Sequence, residues 1–167
     1  MISSLLTAIL SFATPLILAA LGELIVERAG VVNIGIEGMM LAGALAAWAV
    51  DGWHGPAAGI LAAIVAAILL ALPFAIATLV FAADQIVTGT GINLLALGIT
   101  GMIYKLIPEP IAGRVVGVEP IWLMAATALI AFCVGAYLRF TRPGLELTAI
   151  GESPQAADTA GIAVNRR

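Results

Sequence analysis

The sequence predicts an all-α fold, a polytopic bundle of transmembrane helices, and three observations carry that prediction. Hydrophobic residues make up 62% of the 167-residue chain and charged residues 10%, where a soluble domain holds about 25% charged residues. Mean hydropathy is +1.14. The apolar residues fall in blocks of about 20, the length a helix needs to cross a bilayer core. A water-soluble chain of this size cannot bury so much apolar surface, so its solvent is lipid.

Five spans are expected. The first is Ile2–Gly22, which no Lys or Arg precedes. A secretory signal carries a basic start and a small-residue cleavage site, so this segment reads as a retained span. The second runs from about Asn33 to Val50 and contains Glu37. Gly35, Gly38 and Gly43 would allow close helix approach, and a broken helix is expected near Asn33–Gly38. The third is Gly55–Ala83, the fourth Gln85–Tyr104 and the fifth Pro120–Leu138. The connection Ile107–Pro120 holds three prolines and two glycines, too many for a helix. It is expected to be a plain connection or a lid over the outer mouth.

Residues 1–138 thus read as the membrane region and 139–167 as a polar tail. Arg139, Arg142, Arg166 and Arg167 place that tail in the cytoplasm by the positive-inside rule. Five crossings then put the N-terminus outside. Trp48, Trp53, Tyr104 and Trp122 all fall at the outer interface in this arrangement, where amphipathic rings gather. The expected location is the plasma (inner) membrane, multi-pass.

Several function classes are excluded or weakened. Net charge is -3 with no basic stripe, so nucleic acid has no electrostatic footprint here. The one histidine, His54, lies in a Trp-His-Gly-Pro turn and does not make a metal site, which takes several ligands. The lone Cys133 reads as a small buried hydrophobe. The one lysine, Lys105, follows a tyrosine, so a Gly-x-x-x-x-Gly-Lys phosphate loop is absent. No catalytic residue, metal ligand or cofactor site is expected. If transport is ATP-driven, another subunit holds the nucleotide.

Three constellations remain. Asn33 and Glu37 sit among glycines near membrane depth, and an ionisable group there is a functional candidate by default. The other reading of Glu37 is an interfacial carboxylate paired with Arg28. In the fourth span Thr90 and Asn93 offer uncharged hydrogen-bonding groups, which suit a neutral, hydroxyl-rich solute. The other reading is that they fasten helices, at about 0.6 kcal/mol per bond on average. In the tail, Ser153 suits an N-cap, Pro154 a first helical position and Gly161 a C′ position. These predict a short helix, Pro154–Ala160. Two turns are unstable alone in water, and Ala156 and Ala157 would give it a smooth face for a groove on a partner.

Three stretches resemble permease subunits of ATP-binding-cassette importers, in the branch handling simple sugars, nucleosides and branched-chain amino acids. They are Leu21–Ala47, with Glu-Arg-Ala-Gly-Val-Val-Asn-Ile-Gly-Ile-Glu-Gly-Met-Met, then Asp84–Gly101, and Thr141–Ile162. The resemblance implies two permease subunits around a solute path, two cytoplasmic ATPase subunits and an extracytoplasmic solute-binding protein. ATP hydrolysis would belong to those partners. Gly151, Glu152, Pro154, Ala156, Ala157 and Gly161 would fall in the segment that couples to the ATPase. Family members continue through further spans, so the chain resembles the N-terminal portion of one, with the remainder of the domain missing. The solute would be a nucleoside, a simple sugar or a similar small polar molecule. The rival expectations are a secondary transporter with broken helices, coupled through Glu37, and a membrane fragment that does not itself transport.

Overall fold

The computed structural model describes residues 2–107 and 118–164. Among these, seven α-helices account for nearly all the chain. They are α1 (Ile2–Arg28), α2 (Ile36–His54), α3 (Pro56–Ala75), α4 (Gln85–Leu106), α5 (Pro120–Phe140), α6 (Arg142–Glu152) and α7 (Pro154–Thr159). Of the loop expected over Ile107–Pro120, residues 108–117 lie outside the described residues, as do the last two arginines. The helices divide into two compact units, Met1–Val32 with Glu119–Arg167, and Asn33–Val118.

Four helices are long and apolar enough to cross a bilayer: Leu5–Arg28, Pro56–Val80, Gln85–Leu106 and Pro120–Phe140. Their outward faces are apolar, as on α3, where Leu61, Val65, Leu69 and Leu72 are exposed. Lipid is the solvent that makes such a surface stable. Buried apolar residues are few and include Met39, Phe74, Ile92 and Ala96.

The fifth expected span, α2, does not meet that composition, because Glu37 and Asp51 stand near its two ends. Its 19 residues still cover about 28 Å at 1.5 Å per residue. It also runs parallel to α4. Gly38, in the first turn of α2, meets Asn93, near the middle of α4, and the Trp48 and Tyr104 rings meet toward the C-terminal ends of both helices, 5.3 Å apart. Between these points α2 advances ten residues and α4 eleven, about 15 Å. The Trp48–Tyr104 pair puts two of the four aromatics expected at the outer interface on one level.

Helix ends follow local rules. In α1 the helix continues six residues past the expected end at Gly22. It closes at Gly30, which takes φ +86°. The Gly30 amide donates to Glu27 O (2.9 Å) and the Val31 amide to Val26 O (3.2 Å), the paired bonds of a Schellman cap. The break expected near Asn33–Gly38 lies before α2 rather than inside it. Val31–Asn33 are non-helical, Ile34 and Gly35 form a turn, and α2 begins at Ile36.

Pro56 opens α3 behind Gly55, whose φ is +84°. At its other end α3 passes into a π-turn, Ile76–Val80, that the sequence reading did not foresee. Pro73 lies just upstream and lacks the amide that an α-helical ladder needs. Asp84 N-caps α4, its carboxylate accepting from the Val87 amide at 2.9 Å.

The polar tail is more helical than expected. Beyond the short helix it holds α6, eleven residues long. Thr141 makes the elbow between α5 and α6. Its hydroxyl donates to Tyr137 O at 2.7 Å and accepts from the Gly144 amide at 3.2 Å. Gly144 is buried at this fold-back, and a Cβ there would collide with Tyr137 O and stand 2.8 Å from Leu138 Cα.

Candidate functional site

Two places gather the residues singled out in the sequence, one in each unit.

The first is the approach of α4 to the start of α2. Asn33 sets the turn, its side-chain oxygen accepting from the Gly35 amide at 3.0 Å. Its side-chain nitrogen lies 3.5 Å from Met39 Sδ. From α4, Asn93 reaches the same segment with both ends of its amide. The Gly38 amide donates to Asn93 Oδ1 at 2.7 Å, and Asn93 Nδ2 donates to Ile34 O at 3.0 Å. Asn93 thereby satisfies one backbone donor and one backbone acceptor where no helix supplies partners. An amide side chain can take part in four hydrogen bonds, so a solute could reach only what these two leave.

Small residues make that reach possible. A Cβ on Gly38 would stand 2.9 Å from Ala96 Cβ and from Asn93 Oδ1, and one on Gly89 2.8 Å from the Gly35 amide nitrogen. The backbones of α4 and the 34–38 segment are therefore as close as glycine permits.

Thr90 is exposed and its hydroxyl donates to Ile86 O at 2.8 Å. Thr100 does the same to Ala96 O at 2.6 Å, one turn back in its own helix. These hydroxyls serve their own helix rather than fastening two together. Glu37 is exposed on the first turn of α2, where the helix dipole favours a carboxylate.

The second place is the tail. Ser153 caps α7, its hydroxyl accepting from the Ala156 amide at 3.3 Å. Gly161 ends it at φ +82°. The Gly161 amide donates to Asp158 O (2.9 Å) and the Ile162 amide to Ala157 O (3.0 Å), a second Schellman cap. The predicted helix Pro154–Ala160 is thus present as Pro154–Thr159 with Ala160 as its C-cap. The two alanines divide. Ala157 is 3% exposed, while Ala156 is exposed. A smooth face made of both alanines is therefore not what α7 offers. Its open surface comprises Pro154, Gln155, Ala156, Asp158 and Thr159. Glu152 is exposed just before the cap, and Gly151 is half-buried.

Among the described residues no three His, Cys, Asp or Glu side chains converge as metal ligands would. Four helices long and apolar enough to span a bilayer place the chain among multi-pass membrane proteins. The chain belongs to the family of permease components of branched-chain amino acid transport systems, which it matches over residues 5–167. It is 37% identical to the guanosine ABC transporter permease protein NupQ of Bacillus subtilis, over 98% of this chain and 60% of the relative. It is 37% identical to a putative glucose ABC transporter permease protein, TsgC13 of Haloferax volcanii, over 97% of this chain and 56% of the relative. The nucleoside ABC transporter permease protein NupC of Lactococcus lactis is 35% identical over 93% of this chain and 58% of its own length. The chain therefore spans a little over half the length of the curated relatives it matches. No solved structure matches it.

Proposed function

We propose that this chain belongs to the membrane-embedded permease subunit of an ATP-binding-cassette importer that carries a nucleoside, a simple sugar or a similar small polar solute. The names of the guanosine, nucleoside and glucose permeases support the solute class. In this reading the chain catalyses no covalent step. A separate ATPase subunit hydrolyses ATP, a second permease subunit completes the solute path, and an extracytoplasmic binding protein delivers the solute.

One observation carries the coupling role. A six-residue helix is far below the length that holds itself together in water, yet α7 is held at both ends, by Ser153 and by the Gly161 cap. Its exposed residues are short or uncharged apart from Asp158. That combination suits a small rigid knob seated in a groove of another protein. The tail then lies in the cytoplasm, in keeping with Arg139 and Arg142. Because α2 runs beside the spanning α4, five crossings and an outside N-terminus go with this reading.

Transport proceeds by alternating access. ATP-driven closure of the ATPase pair moves α7, and the bundle exchanges inward and outward openings. Each ligand shifts that balance only by its difference in affinity for the two states.

Capture of the ATPase tests the reading. With Ala156→Trp on the open face of α7, an ATPase subunit that co-purifies with the native protein is expected to be lost, while Ala156→Ser retains it. Undiminished capture by Ala156→Trp removes α7 from the interface.

A further inference from the structure

The cap that ends α1 and the end of α6 touch backbone to backbone. A Cβ built on Gly30 would stand 3.2 Å from Gly151 Cα and 3.4 Å from Gly151 O. A Cβ on Gly151 would collide with Arg28 O and lie 2.9 Å from the Gly30 nitrogen and 3.0 Å from Ala29 C. No flexible side chain stands between the two segments, so neither can slide without displacing the other's main chain. Rigid packed backbone transmits displacement where long side chains would absorb it.

What lies on either side of this contact gives it meaning. Gly151 is followed by Glu152, and then by the Ser153 cap of α7. Gly30 is the C′ residue of a 27-residue helix, and its own cap bonds join it to Val26 and Glu27. A push on α7 therefore arrives, two residues away, at a point fixed to the last turn of α1.

We propose that Gly30 and Gly151 are positioning residues, forming a joint that passes motion of α7 to the cytoplasmic end of α1. The proposal rests on the coupling role of α7 given above. It adds which part of the membrane bundle receives the motion.

The joint is tested in the reconstituted complex of the permease with its ATPase subunit. Hydrogen exchange is followed with and without a non-hydrolysable ATP analogue. Nucleotide is expected to change protection over 26–31 together with 153–162, by about tenfold at the capped amides, which open locally rather than with the whole fold. A change confined to 153–162 overturns the joint while leaving the α7 interface standing.

A variant separates contact from backbone strain. Asn tolerates a positive φ better than other residues with a Cβ, so Gly30→Asn intrudes on Gly151 at small conformational cost. Its expected signature is retained ATPase capture with less solute moved per ATP hydrolysed. Uptake and hydrolysis falling in proportion, or both unchanged, overturns the joint. If no ATPase subunit is captured by the native protein, the coupling role itself fails. The joint is then judged on the protein alone: Gly30→Asn must speed exchange at 153–162, and an unchanged rate overturns it.

Discussion

Asn93 accepts a 2.7 Å hydrogen bond from the amide of Gly38, across 55 residues of sequence. With the companion bond to Ile34 O, it fastens the middle of a membrane helix to the segment that opens another. The bond to Gly38 is short because Gly38 has no Cβ to hold the helices apart.

Removing that fastener is expected to cost stability. Asn93→Leu removes one part-buried and one exposed hydrogen bond, and a lost hydrogen bond of this kind costs about 0.5–1.5 kcal/mol. Thermal unfolding of the purified protein in detergent reads the loss. Asn93→Asp keeps the acceptor for Gly38, loses the donor to Ile34, and should fall between Leu and the native residue.

Glycines within α4 should separate sharply. Gly89→Ala drives a Cβ to 2.8 Å from Gly35 N, and overpacking of this kind costs about 1–3 kcal/mol. Gly91→Ala and Gly98→Ala meet nothing within 4 Å. They should leave the melting temperature unchanged or raise it, since alanine is the better helix former. Equal effects at all three positions would contradict the close approach of α4 to the 34–38 segment.

The elbow at Thr141 should be the least tolerant point of the tail. Gly144→Ala places a methyl group against Tyr137 O and Leu138 Cα, both of them backbone. Accumulation of folded protein in membranes, followed by size-exclusion chromatography, should drop severely. Thr141→Val, which loses the hydroxyl bonds, should cost about 1 kcal/mol, as removal of an N-cap does.

Glu37 tests the energy source. It is exposed on the first turn of α2, a position that suits dipole and solvent interactions. Glu37→Gln is expected to leave ATP-dependent uptake largely intact in reconstituted vesicles. Complete loss of uptake, with the protein folded and its ATPase bound, would favour an ion-coupled carrier.

How far the sequence reached depended on whether a feature was local. Ser153, Pro154 and Gly161 announced α7 because capping chemistry is written within nine residues. The spans of α4 and α5 were legible from apolar length alone, each starting at the residue expected. The helix α6 was missed, although Thr141 before Arg142-Pro143 is a helix start and Leu147 with Ile150 gives helical spacing. Its polar composition matches that of a loop as well as that of a surface helix. The π-turn after Pro73 was not legible, since no short residue pattern marks it. Ala157 looked equivalent to Ala156 in the sequence, and only the burial of Ala157 in the folded chain separates them. The Asn93 fastening joins parts of the chain that no local pattern connects, so its amide read equally well as a solute contact.

The most direct test of the central claim is the sidedness and contact of Ala156. Ala156→Cys in a Cys133→Ala background is offered a membrane-impermeant maleimide on intact cells, then a thiol crosslinker in inside-out vesicles holding the ATPase subunit. The account predicts no labelling from outside and a crosslink to the ATPase that solute and nucleotide modulate. Labelling of Ala156→Cys from outside intact cells would contradict it.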